Sequence, residues 1–192
     1  VELILIRHGL PEHRATDDGT PADPDLSEVG LGQADKVAAW LEDQHIDRLY
    51  SSPMKRAVQT AAPLSKLKGL NIEICDGVAE YDLKSTQYIP VEQLKEQDYE
   101  AWQQLMKGET RENFPAFAST VCDSLNAIVN DNRGARVAVT CHGGVINVWA
   151  AHVIGFDPRM FFNPNYTSIN TFMAASSGEK SVISLNEHVH LR

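Results

Sequence analysis

Apolar and polar positions alternate along this chain in two rhythms. Leu3 to Ile6 is a continuous apolar run of strand length, the pattern of a strand covered on both faces. Residues 10 to 25 are rich in Pro, Asp, Gly and Thr and predict a loop. Ser27 stands as the N-cap of a helix in which Leu31, Ala34, Ala38 and Leu41 recur at helical spacing, while Glu28, Gln33, Asp35 and Glu42 take the other face. Ile46 to Tyr50 predicts a second strand. Ser52-Pro53 then places a capping residue before a proline at the first helical position, and Ala57, Ala61, Leu64 and Leu67 mark the inner side of the helix that follows. Asn71 to Cys75 reads as a third strand.

From 76 to 112 the pattern thins to short helical patches, Val91 to Lys95 and Tyr99 to Met106, which predicts a cap-like insertion at about 76–112. Helical spacing returns over 114–130 through Phe114, Phe117, Val121, Leu125 and Ile128. Arg136 to Cys141 reads as a strand, His142-Gly143-Gly144 as a tight turn, and Val145 to Ile154 as an apolar helix. Ile169 to Ala174 and Ser181 to Leu185 close the chain as strands, a hairpin turning near Ser177-Gly178. Strands alternating with helices predict one α/β domain over residues 1–192. Its expected form is a three-layer sandwich, a mostly parallel central sheet with helices on both faces.

Composition narrows the partners. The hydrophobic fraction of 43% is enough for a chain of 192 residues to bury a core. Lys and Arg number 17 against 26 Asp and Glu, a formal net charge of -9. Such a balance excludes a general nucleic-acid binder and is repelled by an anionic membrane surface. Any phosphate the chain handles must be met by a few local cations. Three scattered cysteines, Cys75, Cys122 and Cys141, make neither a disulfide framework nor a metal knuckle, and they suit a reducing compartment. The opening apolar run is too short for a signal peptide, so a cytoplasmic location is expected.

The chemistry gathers where strands end. The first strand runs into Arg7-His8-Gly9, the second into Ser51-Ser52-Pro53 with Arg56 one turn on, and the strand ending at Cys141 into His142-Gly143-Gly144. In open α/β sheets the ligand crevice lies at the carboxyl ends of the strands, and helices starting there favour an anion. Arg7 and Arg56 offer planar forks of donors that match phosphate oxygens. His8, beside a small Gly9, suits a nucleophile, and His142 a second imidazole, protonated or donating, with Gly143 next to it. An acid for the leaving oxygen is still needed. Glu80 is the first choice and Asp82 the reserve. His13 and Arg14 are placed at the substrate entrance. His152 falls among apolar neighbours and reads as a core or boundary residue. His188 and His190 alternate as metal ligands do, but no carboxylate or cysteine cluster accompanies them, so no metal is expected.

Leu5-Ile6-Arg7-His8-Gly9 resembles the RHG signature of the histidine phosphatase superfamily, also called phosphoglycerate mutase-like. Leu26 to Gly30 with Gln33-Ala34 resembles that family's first helix, and Ser51 to Ala61 its SSPxxRAxQTA motif. Cys141-His142-Gly143-Gly144 is similar to its SHGG turn, and Leu185-Asn186 with His190-Leu191 to its usual ending. The resemblance implies a metal-independent phosphomonoester hydrolase acting on a small phosphorylated metabolite, with no cofactor. In that scheme His8 takes the phosphoryl group, Arg7, Arg56 and His142 hold it, and Glu80 serves as acid and then base. Val78 stands where the family's acidic segment has leucine, and Asp82-Leu83-Lys84-Ser85-Thr86 replaces a Gly, Trp and Glu-Gly cluster, so the pocket walls differ. The alternatives are a phosphoglycerate mutase-type phosphotransferase and a non-catalytic phosphate- or protein-binding module. The oligomeric state stays open, a homodimer among the options.

Overall fold

The computed structural model describes residues 1–106 and 114–192. Its strands are β1 (Glu2–Arg7), β2 (Arg14–Ala15), β3 (Arg48–Ser51), β4 (Ile72–Ile74), β5 (Gln87–Tyr88), β6 (Arg136–Cys141), β7 (Ile169–Ala174) and β8 (Lys180–Glu187). Its helices are α1 (Glu28–Trp40), α2 (Lys55–Lys68), α3 (Val91–Gln97), α4 (Tyr99–Met106), α5 (Phe114–Asp131) and α6 (Gly143–Ile154).

Six strands form one sheet in the order β4-β3-β6-β1-β7-β8. Neighbours from β4 through β1 run parallel, β7 is antiparallel to β1, and β8 is antiparallel to β7. This is the mostly parallel sheet expected. The continuous apolar run of β1 has its reason here. Leu3 and Leu5 face a core shared with α5 and α6, while Ile4 and Ile6 face a second core shared with Val37, Ala38, Ala61 and Leu64 of α1 and α2. With helices on both faces, every position of the strand must be apolar. Val78, in a one-turn helix at Asp76–Val78, is fully buried in the α5–α6 core.

Several local expectations change. Ser27 does cap α1, its Oγ accepting from the Gly30 N–H at 3.1 Å. The inner stripe of that helix, however, runs Gly30, Ala34, Val37, Ala38 and on to Leu41, and Leu31, one residue off it, is exposed. Leu31 and the equally exposed Leu67 line a surface groove between α1 and α2 instead of the core. Helix α2 starts at Lys55, not at Pro53, and Ser52 is not its N-cap. Its free N-terminal amide is taken from a distance, the Lys55 N–H donating to Asp23 Oδ1 and Oδ2 at 3.2 and 3.1 Å. Helix α6 begins at Gly143, inside the segment expected to be a turn.

The 10–25 loop is largely irregular, but β2 within it pairs antiparallel with β5, Arg14 opposite Tyr88. The hairpin of β7 and β8 turns through Gly178, whose φ of 114 suits only glycine well. The end of the expected insertion, residues 107–112, lies outside the described residues. Among those described, no helix is long and apolar enough to cross a membrane.

Candidate active site

Sheet register places the site. Arg7 at the end of β1 pairs with Cys141 at the end of β6, and Ser51 at the end of β3 pairs with Thr140 of β6. The residues that follow, His8, Ser52 and His142, therefore emerge side by side at one sheet edge. Gly9 keeps this edge tight, because a Cβ there would lie 2.6 Å from the Gly30 carbonyl oxygen of α1. Thr60 of α2 locks the same turn, accepting from the Gly9 N–H at 2.9 Å and donating to the Arg56 carbonyl at 2.7 Å.

His8 Nδ1 lies 2.7 Å from the Gly9 carbonyl, which only accepts, so the proton sits on Nδ1 and Nε2 presents its lone pair. Arg56 Nε donates toward that Nε2 at 3.3 Å. Burial, with help from the Arg56 and Arg7 charges, holds His8 well below the usual imidazole range, and it is neutral near pH 7.

His142 is fully buried, its ring 5.1 Å from that of His8. Its Nε2 lies 2.8 Å from Ser52 Oγ. That hydroxyl accepts from the Met54 N–H, and in the tautomer where it donates its own proton to His142 Nε2, Nδ1 carries the ring proton. Burial and the Arg56 charge hold this ring, too, well below the usual imidazole range. Ser52 lies two residues ahead of Met54, the N-cap of α2, and partners His142 from there.

Arg7 and Arg56 are buried as deeply as the histidines. Nη1 of Arg7 donates to Asn163 Oδ1 at 3.3 Å and to the Pro164 carbonyl, and the guanidinium lies 4.0 Å over the Tyr166 ring. Arg56 is paired with Asp82 Oδ1 at 3.1 Å and Asp23 Oδ1 at 3.8 Å, and the Tyr88 ring covers it at 4.5 Å. Three buried nitrogens here have no hydrogen-bond partner among the described residues: Arg7 Nε, Arg56 Nη1, whose contact with Asp23 is a 3.8 Å ion pair, and His142 Nδ1. A buried donor without a partner costs about 1–3 kcal/mol, so three around one imidazole lone pair make a site for an oxyanion.

Glu80 stands at the start of α6, its Oε2 accepting from the Gly144 N–H at 2.8 Å and its Oε1 from the Tyr81 N–H at 3.1 Å. Part of the residue reaches solvent, yet the carboxyl group itself lies inside the site, and that is what sets its proton affinity. Burial, then the Asp82 carboxylate, push it up to about 7, against the pull of the two N–H groups and Arg56. Asp82 is bound instead in its ion pair with Arg56. Of the two carboxyls, Glu80 is the one whose burial favours the protonated form.

Of the residues expected from sequence, Arg7, His8, Arg56, Glu80, Asp82, His142 and Gly143 converge; the space beside Gly143 opens toward Arg7 Nε at 3.9 Å. His13 and Arg14 are exposed and do not hydrogen-bond to the cluster, and Arg14 reaches it only through its strand partner Tyr88. Sequence reasoning missed Asp23, Ser52 as a histidine partner, Thr60, Tyr88, Asn163 and Tyr166. Ser52 and Thr60 lie inside the motif that carries Arg56, which was the signal for them. The others sit in loops or short strands with no periodicity.

A model of the histidine phosphatase superfamily (branch 1) matches residues 3–187. The chain is 36% identical over 106 residues to phosphoserine phosphatase 1 of Hydrogenobacter thermophilus, covering 53% of this chain and 50% of that protein. It is 31% identical over 156 residues to a metal-independent phosphoserine phosphatase of Arabidopsis thaliana, covering 76% of this chain and 65% of that one. The chain thus spans about half to two-thirds of the length of these relatives. In fold it is similar to a phosphoserine phosphatase mutant of Entamoeba histolytica solved with phosphoserine, with a TM-score of 0.77, 23% identity, and coverage of 100% of this chain and 99% of the other.

Proposed function

The chain belongs to the histidine phosphatase superfamily, and on that premise we propose that it is a metal-independent phosphomonoester hydrolase working through a phosphohistidine on His8. The observation that carries this reading is the set of three buried nitrogens without hydrogen-bond partners among the described residues, Arg7 Nε, Arg56 Nη1 and His142 Nδ1, beside a neutral imidazole whose Nε2 lone pair meets only the long contact from Arg56 Nε. The donors hold the phosphoryl oxygens and meet the charge that builds there in the transition state. The His8 lone pair forms the N–P bond as the P–O bond to the leaving group breaks, and protonated Glu80 gives its proton to the departing oxygen. The Gly9 carbonyl, facing Nδ1–H, stabilises the positive charge on the phosphorylated ring. Water then attacks phosphorus, the N–P bond breaks, Glu80 takes the water's proton, and His8 is regenerated.

The substrate class is a small phosphomonoester. Asp82 and Asp23 beside Arg56 favour one that carries an ammonium group over one that does not, and the two relatives compared above are phosphoserine phosphatases by name. The residues from 76 onward that bring Glu80, Asp82 and Tyr88 to the site act as a cap on a single domain, working in the cytoplasm with no nucleic-acid or membrane partner. The test is phosphate release from phosphoserine and 3-phosphoglycerate, with and without chelator. The expected result is kcat/KM about tenfold higher for phosphoserine, unchanged by chelator. Loss of turnover on chelation would overturn the metal-independent scheme.

Gly144 offers a second test. A Cβ there would lie 2.1 Å from Glu80 Oε1, so Gly144→Ala must displace the carboxyl. Kinetics with phosphoserine should show kcat lowered about a hundredfold, the size expected for a misplacement near 1 Å, with KM little changed.

A further inference from the structure

The chain's ending takes no part in the steps above, yet its polar side chains grip one loop. Residues 163–168 supply much of what surrounds Arg7 and His8. Asn163 and the Pro164 carbonyl accept from the Arg7 guanidinium, and Tyr166 lies beneath it. The Tyr166 ring is 5.8 Å from that of His8, the Thr167 N–H donates to the His8 carbonyl at 3.3 Å, and the Ser168 carbonyl accepts from the Arg7 N–H at 3.1 Å. The loop is held in an unfavourable conformation. Thr167, fully buried and β-branched, has a φ of 53, a conformation that persists only where neighbours enforce it.

Three residues of the ending touch this loop: Asn186, His190 and, by a 3.5 Å contact of its Nδ1 with Asn165 Nδ2, His188. Asn186, itself at a φ of 56, accepts through Oδ1 from the Asn165 N–H at 2.7 Å and from Asn165 Nδ2 at 3.2 Å. Its own N–H donates to Asn170 Oδ1 at 2.8 Å, and Asn170 Nδ2 in turn donates to the Leu5 carbonyl of β1. His190, in the last one-turn helix, Val189–Leu191, places Nε2 3.1 Å from Oγ1 of the strained Thr167, its ring lying 6.4 Å from that of Trp40.

We propose that His190 and Asn186 are positioning residues. The chain's ending holds the 163–168 loop in its strained form, and the loop in turn fixes Arg7 and His8 for phosphoryl transfer. The His190–Thr167 bond acts on the strained residue directly and is the sharper of the two contacts to test. The inference rests on the phosphatase reading above, so the experiment separates the two by measuring aryl phosphate turnover and, by calorimetry, the Kd for inorganic phosphate.

His190→Ala is expected to lower kcat by about ten- to a hundredfold and to weaken phosphate binding. His190→Gln, whose amide nitrogen can reach Thr167 Oγ1, should restore most of both. Glycine takes a positive φ without support, so in a Thr167→Gly background His190→Ala should cost little further. That background separates positioning from a general loss of stability. Should His190→Ala fail to fold, Thr167→Val breaks the same bond from the other end, and the same losses are expected. Wild-type values for folded His190→Ala, an equal loss in the Thr167→Gly background, or a Gln variant as impaired as the Ala variant would each overturn the proposal. If the wild-type protein binds phosphate but does not turn over the aryl ester, the phosphatase reading fails instead, and the tether stands or falls on the phosphate Kd.

Discussion

Replacing His8 by alanine is expected to lower turnover of phosphoserine by about ten-thousandfold or more, a loss of the size seen when a covalent nucleophile is removed. The reason is geometric. Arg7, Arg56 and His142 still present their donors, so inorganic phosphate should bind within a few-fold of wild-type affinity, but nothing else in the cluster offers a lone pair in place of Nε2. Quenching with alkaline detergent and labelled substrate should trap a phosphoenzyme in the wild-type protein that is lost on later exposure to acid, and none in the variant. Substantial turnover by His8→Ala, or a phosphoenzyme that survives acid, would remove the phosphohistidine from the scheme.

Glu80→Gln should produce the second largest effect, and it separates activity from stability. Without a proton to give, kcat for phosphoserine should fall by about a hundred- to a thousandfold, and by less for an aryl phosphate whose phenolate leaves unaided. In the wild-type protein the Glu80 proton is lost as pH rises through about 7, so the leaving-group step should weaken on the alkaline side. The variant should lack that limb. Stability runs the other way. A carboxyl raised from 4.5 to about 7 on folding contributes stability that is fully present below pH 4.5 and is lost as pH rises through 7. Gln stays neutral throughout and its oxygen can still accept from Gly144 N–H. The variant should therefore match the wild type near pH 4 and exceed it by of the order of 2 kcal/mol at pH 8, after allowance for the partial exposure of the residue. Melting curves at the two pH values check this. A gap that is absent at pH 8, or equally large at pH 4, would mean that Glu80 is not held in its neutral form.

The parts of the site legible in the sequence are those where a strand's apolar pattern stops abruptly at a reactive residue, as at Arg7-His8, Ser51-Ser52 and Cys141-His142. Strand direction alone then brings them to one edge, because parallel neighbours end together. What pairing decides was not legible. Ser52 carries the local signature of a helix cap, yet its hydroxyl serves a histidine 90 residues away, and the vacated end of α2 is served by Asp23 from a loop. Protonation was hidden for the same reason: His142 is neutral because of how deeply the other layers bury it, which no local pattern encodes. Tyr88 and Tyr166 matter through ring faces laid on guanidinium groups, a relation visible only once β5 and the 163–168 loop are in place. Leu31 shows the limit of periodicity, since helical spacing identifies a stripe but not which of two adjacent stripes meets the sheet.

Arg56 lies between Asp23 and Asp82, with Tyr88 over its face. Those carboxylates compete with any oxyanion for the same guanidinium, and they regain it each time the oxyanion departs. The consequence concerns the end of the cycle more than its start. A clamp built from two free arginines would grip the dianionic product and be slow to let it go. On the phosphatase reading proposed above, these two acids are expected to help eject inorganic phosphate and so to blunt product inhibition.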